Sequence, residues 1–130
     1  MKLCSVAFGC LMVCFTADAA YYINIDTNKR MTISDDFKKA VIVGVEEKPL
    51  RLKPYSTHDD QIDNQGRPFM LQTFIDEDCD ETAPGRCKNT GVAIKFYSDK
   101  RSGMHIFGMD QKSGDIKWSY NVDAESITKD

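Results

Sequence analysis

The fold class is indicated by Phe69–Ile75 (FMLQTFI) and Val92–Tyr97 (VAIKFY), two apolar runs that enclose the acidic segment Asp76–Cys87 (DEDCDETAPGRC). Both runs have the length and the aromatic and β-branched content that are typical of strands. The segment between them contains five acidic residues and two cysteines. The sequence therefore predicts a charged loop that is displayed between two β-strands, an arrangement that favours recognition of a partner over chemistry.

Further apolar runs recur at intervals of about 10 residues and are bounded by turn residues. They are Tyr21–Ile25, Met31–Ile33, Ala40–Val45, Leu50–Leu52, His105–Met109 and Ile116–Tyr120. Many short strands at this spacing are typical of an antiparallel barrel, trefoil or sandwich. The aromatic residues of the predicted strands are expected to fill the core: Phe69, Phe74, Phe96, Tyr97, Phe107, Trp118 and Tyr120.

The remaining segments give weaker signals. The best helical candidate, Asp35–Val41, runs into β-branched residues that disfavour a helix. Lys53–Arg67 is polar and Asp-rich, so it is predicted to be a long loop, and the polar tail 123–130 is predicted to fray. A chain of 130 residues has room for one core. The sequence thus predicts a single, mainly β, antiparallel domain over residues 20–130.

The N-terminal segment has the layout of a secretory signal peptide. Lys2 precedes the apolar run Leu3–Thr16, and Ala17 and Ala19 supply the small residues of a cleavage site. The run is shorter than the roughly 20 apolar residues of a membrane span. We therefore expect residues 1–19 to be removed after Ala19 and the protein to be secreted; the alternative is that they form a buried first strand or helix.

Removal of that segment would leave only Cys79 and Cys87. In an oxidising compartment this pair would form a disulfide that stabilises the fold by about 2–3 kcal/mol, mainly by restricting the unfolded chain. In the cytosol the two residues would be free thiols. Cysteine usage is therefore consistent with export and does not by itself establish it.

Composition and motifs exclude several classes of function. The net charge of −3, with scattered basic residues, gives no basis for nucleic-acid or anionic-membrane binding. Asp76, Asp78 and Asp80 match the start of a calcium-binding EF-hand loop, but Glu81 and Cys87 stand where that loop needs Gly and Glu. The two histidines outside the leader, His58 and His105, have no zinc-binding spacing, and no catalytic motif occurs. We expect no cofactor and no enzymatic activity.

From Asn64 onward the chain resembles the interleukin-18 cytokines of the interleukin-1 family. The resemblance lies in the order of short motifs: Gln65-Gly66-Arg67-Pro68, Asp76, Asp78-Cys79, Glu81-Thr82-Ala83-Pro84, Tyr97, Asp99 and Gly103-Met104. Upstream, Asp35-Asp36-Phe37-Lys38 looks like the processing site of that family. The similarity covers roughly residues 21–104.

The resemblance implies a β-trefoil fold, which this chain would complete only in part, and binding to a cell-surface receptor by a monomeric, secreted ligand. The residues that match the family's binding positions are Asp76, Asp78 and Glu81, with Lys100 and Arg101 nearby. It also implies cleavage by a caspase at the Asp36–Phe37 bond.

Two alternatives remain open at this stage. A secreted, disulfide-containing binding protein, such as a protease inhibitor, would use the Cys79–Cys87 loop as a rigid contact, with Arg86 as an anchor. A small exported enzyme would have to depend on His58 or His105. Cleavage at Asp36 favours the cytokine, whereas cleavage after Ala19 with an intact disulfide favours the inhibitor.

Overall fold

The computed structural model describes residues 20–83, 87, 90–98 and 103–129. The described chain forms nine strands and one short 3-10 helix, Ala124–Ser126. The strands are β1 (Ala20–Asp26), β2 (Lys29–Ser34), β3 (Ala40–Val43), β4 (Leu50–Ile62), β5 (Pro68–Asp76), β6 (Thr90–Tyr97), β7 (Met104–Asp110), β8 (Ile116–Val122) and β9 (Ile127–Lys129).

All nine strands belong to one antiparallel sheet in the order β8-β7-β6-β5-β4-β3-β2-β1-β9. Each strand from β1 to β7 is thus hydrogen-bonded to the next in the sequence, and β9 returns to pair with β1. Because β1 also contacts β8, the sheet is nearly closed. The predicted class, a single mainly β antiparallel domain, is confirmed, whereas the trefoil arrangement remains a prediction.

The core is formed by alternate residues of the strands. Along β2, for example, Met31 and Ile33 are buried while Arg30 is exposed, as a strand with one buried face requires. The buried cluster comprises Ile23, Ile25, Met31, Ile33, Ala40, Ile42, Leu50, Leu52, Phe74, Val92, Ile94, Met104, Ile106 and Val122. All eight apolar runs of the sequence contribute to it or to the residues that pack against it.

The prediction of a long loop over Lys53–Arg67 was wrong, because β4 continues to Ile62. Beyond Leu52 this strand pairs only with β5, so its other edge is free in the described structure. Its ladder is interrupted after Pro54 and again after His58. The interruptions break the apolar alternation that marks a strand, and Pro and charged residues at a free edge hinder pairing with other chains.

Asp35–Val41, where β-branched residues disfavoured a helix, forms a tight turn followed by β3. One further expectation needs correction. The tail that was predicted to fray instead contains the 3-10 helix and β9, whose residues Ile127–Lys129 pair with β1. The sequence of β9 is too short and too polar to signal a strand, and it is held in place by a partner about 100 residues away in the chain.

The prediction that the aromatic residues fill the core was only partly right. Phe74 is fully buried, and Phe96, Trp118 and Tyr120 pack against the core cluster. Phe69, Tyr97 and Phe107 are half-buried, and each alternates along its strand with residues of the inner face. These three therefore lie on the outer face of the sheet.

Candidate functional site

The acidic segment begins where β5 ends. Asp76 is the last residue of β5 and lies opposite Leu52 in the ladder with β4, and the Glu77 N–H donates to the Arg51 carbonyl at 2.9 Å. Cys79 and Cys87 form a disulfide with their Cα atoms 5.7 Å apart, which closes the segment into a loop. Cys87 is 6% exposed, so the inner end of the disulfide is protected from solvent. The start of the loop is therefore hydrogen-bonded to β4, and the disulfide cross-links the loop itself.

Two successive turns shape the outer part of this loop, and an aspartate caps each of them. Asp76 Oδ1 accepts the Asp78 N–H at 2.8 Å, while the Asp76 carbonyl accepts the Cys79 N–H at 2.9 Å. Asp80 repeats the arrangement, since its Oδ1 accepts the N–H and the hydroxyl of Thr82 at 2.9 and 2.8 Å. These hydrogen bonds from Thr82 lower the pKa of Asp80, so its carboxylate is charged at neutral pH. Side chains that bond to the backbone two residues on are typical of turns.

The structure brings three of the predicted binding residues together on this loop, Asp76, Asp78 and Glu81, with Asp76 half-buried and the other two exposed. Glu77 and Asp80 are also exposed there and were not among the predicted contacts. Within the described part of the chain, Glu77, Asp78 and Glu81 form no ion pair. Lys100 and Arg101, and the predicted cleavage residue Ala19 with the whole leader 1–19, lie outside the described residues.

The predicted processing residue, Asp36, lies in the turn between β2 and β3. Its Oδ1 accepts the Lys38 N–H at 3.0 Å and the Ser34 hydroxyl at 2.8 Å, and these bonds lower the pKa of its carboxyl group. The next residue, Phe37, has a φ of 63° and a ring whose centroid lies 5.8 Å from that of Tyr21 and 5.5 Å from that of Phe96. Asp36 is exposed, but the bond that follows it belongs to a turn that is fastened by backbone bonds and by a half-buried aromatic ring.

A polar cluster that the sequence did not predict joins three distant segments. Glu46, in the loop between β3 and β4, accepts hydrogen bonds at Oε2 from the Thr90 hydroxyl, from Trp118 Nε1 at 3.2 Å and from Lys117 Nζ. Lys117 Nζ lies 3.1 Å from that oxygen and also donates to Thr90 Oγ1 at 2.7 Å. Burial is the largest single influence on the pKa of Glu46 and raises it, but the three hydrogen bonds and the charge of Lys117 outweigh it, so the pKa is lowered. No local motif signals this cluster, because its members lie far apart in the sequence.

Other kinds of site find no support in the residues that the structure describes. Their His, Cys, Asp and Glu side chains include no group of three or more that could hold a metal ion. The same part of the chain contains no helix that is long and apolar enough to cross a membrane.

Comparison with known proteins does not identify the chain: no protein family, curated protein or solved structure matches it.

Proposed function

We propose that this chain is a secreted recognition protein, a signalling ligand of the interleukin-18 type that binds a cell-surface receptor through its acidic loop. The observation that carries the proposal is the exposed anionic surface formed by Glu77, Asp78 and Glu81 on a loop that a disulfide closes. The motif order described above supports the assignment to the interleukin-18 type. The disulfide is compatible with an extracellular location.

The construction of the loop suits it for binding a protein. A flexible loop must lose conformational freedom when it is bound, and this loss weakens the complex. Here the disulfide and the turns capped by Asp76 and Asp80 restrict the loop before any partner arrives. A preorganised surface with several carboxylates would attract a basic patch on a receptor and orient it during approach.

The experiment measures binding to purified ectodomains of receptors of the interleukin-1 family by biolayer interferometry. The variant Asp78→Asn/Glu81→Gln removes two charges from the loop and keeps the shape of both side chains. We expect it to bind at least about 10-fold more weakly, mainly through slower association, with a difference that shrinks as salt concentration rises.

The matched control is Asp115→Asn/Glu125→Gln, which changes the net charge equally at two exposed positions outside the loop. It should bind as the unmodified protein does. Equal affinities of the loop variant and the control would refute the proposed role of the loop. Failure of the unmodified protein to bind any ectodomain of this receptor family would refute the assignment to the interleukin-18 type.

The disulfide also favours a second candidate, an inhibitor or other extracellular effector that uses the Cys79–Cys87 loop as a rigid contact. In that case Arg86 would occupy the specificity pocket of a trypsin-like protease. Inhibition of trypsin by the unmodified protein, and its loss in Arg86→Ala, would favour this candidate over the signalling ligand.

A further inference from the structure

A second surface lies on the side of the sheet that faces away from the core, and it is aromatic where the loop is acidic. It lies on the outer face of β5, β6 and β7, and we call it the aromatic face; its residues are Phe69, Leu71, Lys95, Tyr97, His105 and Phe107. The ladders place Phe69 opposite Tyr97, and Lys95 between Leu71 and His105. All six side chains are half-buried, so the surface is accessible over three adjacent strands.

The composition of the aromatic face is unusual for the solvent-facing side of an antiparallel sheet, which is commonly polar. The outer positions of β1 and β2 are mostly polar, with Asn24, Arg30 and Thr32 beside the exposed ring of Tyr22. On β5 to β7 the outer positions include four large apolar side chains, those of Phe69, Leu71, Tyr97 and Phe107. A contiguous apolar surface of this kind marks a site of interaction in soluble proteins.

A single cation lies at the centre of this surface. Lys95 Nζ is 5.0 Å from the centroid of the Phe69 ring and 5.8 Å from that of Phe107. Within the described residues Lys95 forms no ion pair with a carboxylate. The side chain directly opposite in β7, His105, has its ring 5.0 Å from that of Phe107 and carries no negative charge that would balance Lys95.

Three aspartates lie in or next to the strand that pairs with β5, and among the described residues none of them forms an ion pair with Lys95: Asp59, Asp60 and Asp63. Asp63, in the turn between β4 and β5, accepts the N–H groups of Gln65 and Arg67 through Oδ1 and the Tyr97 hydroxyl through Oδ2 at 3.1 Å. Arg67 lies over the Tyr97 ring at 4.2 Å, so this border of the aromatic face also carries a cation. Asp63 therefore does not neutralise the charge of Lys95.

We propose that the aromatic face binds a protein segment that presents a carboxylate flanked by apolar side chains. A partner that covers Phe69 and Phe107 also removes water from the Lys95 ammonium between them. Burial of an unpaired charge is costly, so the partner must supply an anion at this point. A neutral or basic segment would leave the cation buried and unpaired, which makes the acidic apolar segment the complementary occupant.

This surface is distinct from the acidic loop, and the inference does not depend on the proposed function. The loop requires a basic partner, whereas the aromatic face requires an acidic one. The cation is held between rings, where desolvation strengthens its interactions, so Lys95 is expected to dominate the contact, as buried central residues do in protein interfaces.

The test uses a phage-displayed library of random 12-residue peptides, selected on the purified protein. We expect enrichment of sequences with Asp or Glu next to Leu, Ile or Phe. A synthetic peptide of the enriched sequence should bind with micromolar affinity in calorimetry, and Lys95→Glu should weaken it at least 10-fold. Lys112→Glu is the matched control, because it reverses a charge at an exposed turn residue outside the aromatic face.

Two further variants keep the result interpretable. Lys95→Gln removes the charge without introducing a repulsive one and should weaken the peptide several-fold while the circular dichroism spectrum stays unchanged. Asp78→Asn/Glu81→Gln, on the acidic loop, should bind the peptide like the unmodified protein, which separates this surface from the receptor-binding proposal. Amide chemical-shift changes on peptide addition should concentrate in β5, β6 and β7.

Several outcomes would overturn the inference. They are selection of no common sequence, selection of basic or uncharged sequences, and equal binding of the peptide to Lys95→Glu and Lys112→Glu. Sedimentation equilibrium tests whether a second copy of this chain is the occupant instead. Dimerisation that Lys95→Glu abolishes would show this and would equally overturn it.

Discussion

Lys117 Nζ, on β8, lies 3.1 Å from Glu46 Oε2, in the loop between β3 and β4. In the order of the sheet, β8 is an edge strand and is separated from β4 by β5, β6 and β7. The ion pair therefore connects one edge of the sheet to a loop from its middle. Since the sheet is nearly closed, the cluster around Glu46 ties together parts of it that backbone ladders do not join.

Replacement of Glu46 by Gln should destabilise the fold by about 1–2 kcal/mol, because a neutral amide accepts the three hydrogen bonds more weakly. Glu47→Gln, an exposed neighbour, should have almost no effect. Urea unfolding at pH 7 measures both changes. Equal midpoints for the two variants would contradict the stabilising role of the cluster.

The contribution of Glu46 should also depend on pH. Its pKa in the folded protein is lower than the ordinary value of 4.5, so its charge stabilises the fold above that pH. The stabilisation is lost as the pH falls through the lowered folded pKa. We therefore expect the difference in unfolding free energy between the unmodified protein and Glu46→Gln to shrink as the pH falls below 4.5. A difference that stays constant over that range would show that the charge is not what matters.

Gly108→Ala should disturb the cluster around Glu46 by displacing Trp118. Gly108 pairs directly with Trp118, and a Cβ atom at this position would overlap the indole ring. The ring would have to move, which also breaks its bond to Glu46, so we expect a loss of about 1–3 kcal/mol. Trp118 is the only tryptophan, so its fluorescence reports the displacement directly. Gly114→Ala is unsuitable as a control because its φ is 79°, whereas Ser119→Ala, on an exposed position of β8, is suitable.

Loss of the disulfide should lower stability by about 2–3 kcal/mol in Cys79→Ser/Cys87→Ser, since the unfolded chain gains freedom in the loop. Thermal unfolding with and without a reducing agent measures the effect. The reductant should lower the midpoint of the unmodified protein to that of the double variant and leave the variant itself unchanged. A midpoint of the unmodified protein that is insensitive to reduction would show that the bond contributes little.

Cleavage at Asp36 should be much slower in the folded protein than in a peptide that covers residues 31–41. A protease needs an extended substrate, whereas the Asp36–Phe37 bond lies in a fastened turn with the Phe37 ring against the core. Mass spectrometry during caspase digestion compares the two rates, and Asp36→Glu is the control for cleavage after this residue.

After a cut at Asp36, β1 and β2 should stay bound to the rest of the protein, because they pair with β9 and β3 and supply Ile23 and Met31 to the core. Gel filtration under native conditions should therefore show one particle, and release of residues 20–36 would contradict this prediction.

The pKa of His105 should rise in Lys95→Gln. Burial lowers the pKa of His105 below 6.5, and the charge of Lys95 lowers it further, so removal of that charge removes one of the two causes. Proton NMR titration of the imidazole measures the shift.

The depressed pKa of His105 should also affect stability. Because the folded pKa is lower than the unfolded one, the unfolded chain binds the imidazole proton at a higher pH than the folded protein does, and the fold loses stability as the pH falls below 6.5. That loss should be smaller in Lys95→Gln than in the unmodified protein, and an unchanged His105 pKa would place Lys95 farther away than the structure does.

The candidate site shows what local sequence can and cannot predict. The acidic loop was recognisable because its charges and both cysteines are contiguous between two apolar runs, Phe69–Ile75 and Val92–Tyr97. The aromatic face was not recognised, although strict alternation places Phe107 on the opposite side from Ile106. Alternation shows that a strand has two faces. When both faces carry large apolar residues, however, the sequence does not show which face is turned toward the core.

By itself, the sequence determined the β class, eight of the nine strands and the displayed acidic loop, because alternation of apolar residues and turn chemistry are local properties. Only the tertiary structure decided the length of β4, the existence of β9, the faces taken by Phe69 and Phe107, and the meeting of Glu46 with Lys117 and Trp118. Each of these depends on how strands pair and pack in the complete sheet, and β9 and the Glu46 cluster in addition join segments that are distant in the chain. Register is set by the packing of the whole sheet, so no single segment encodes it.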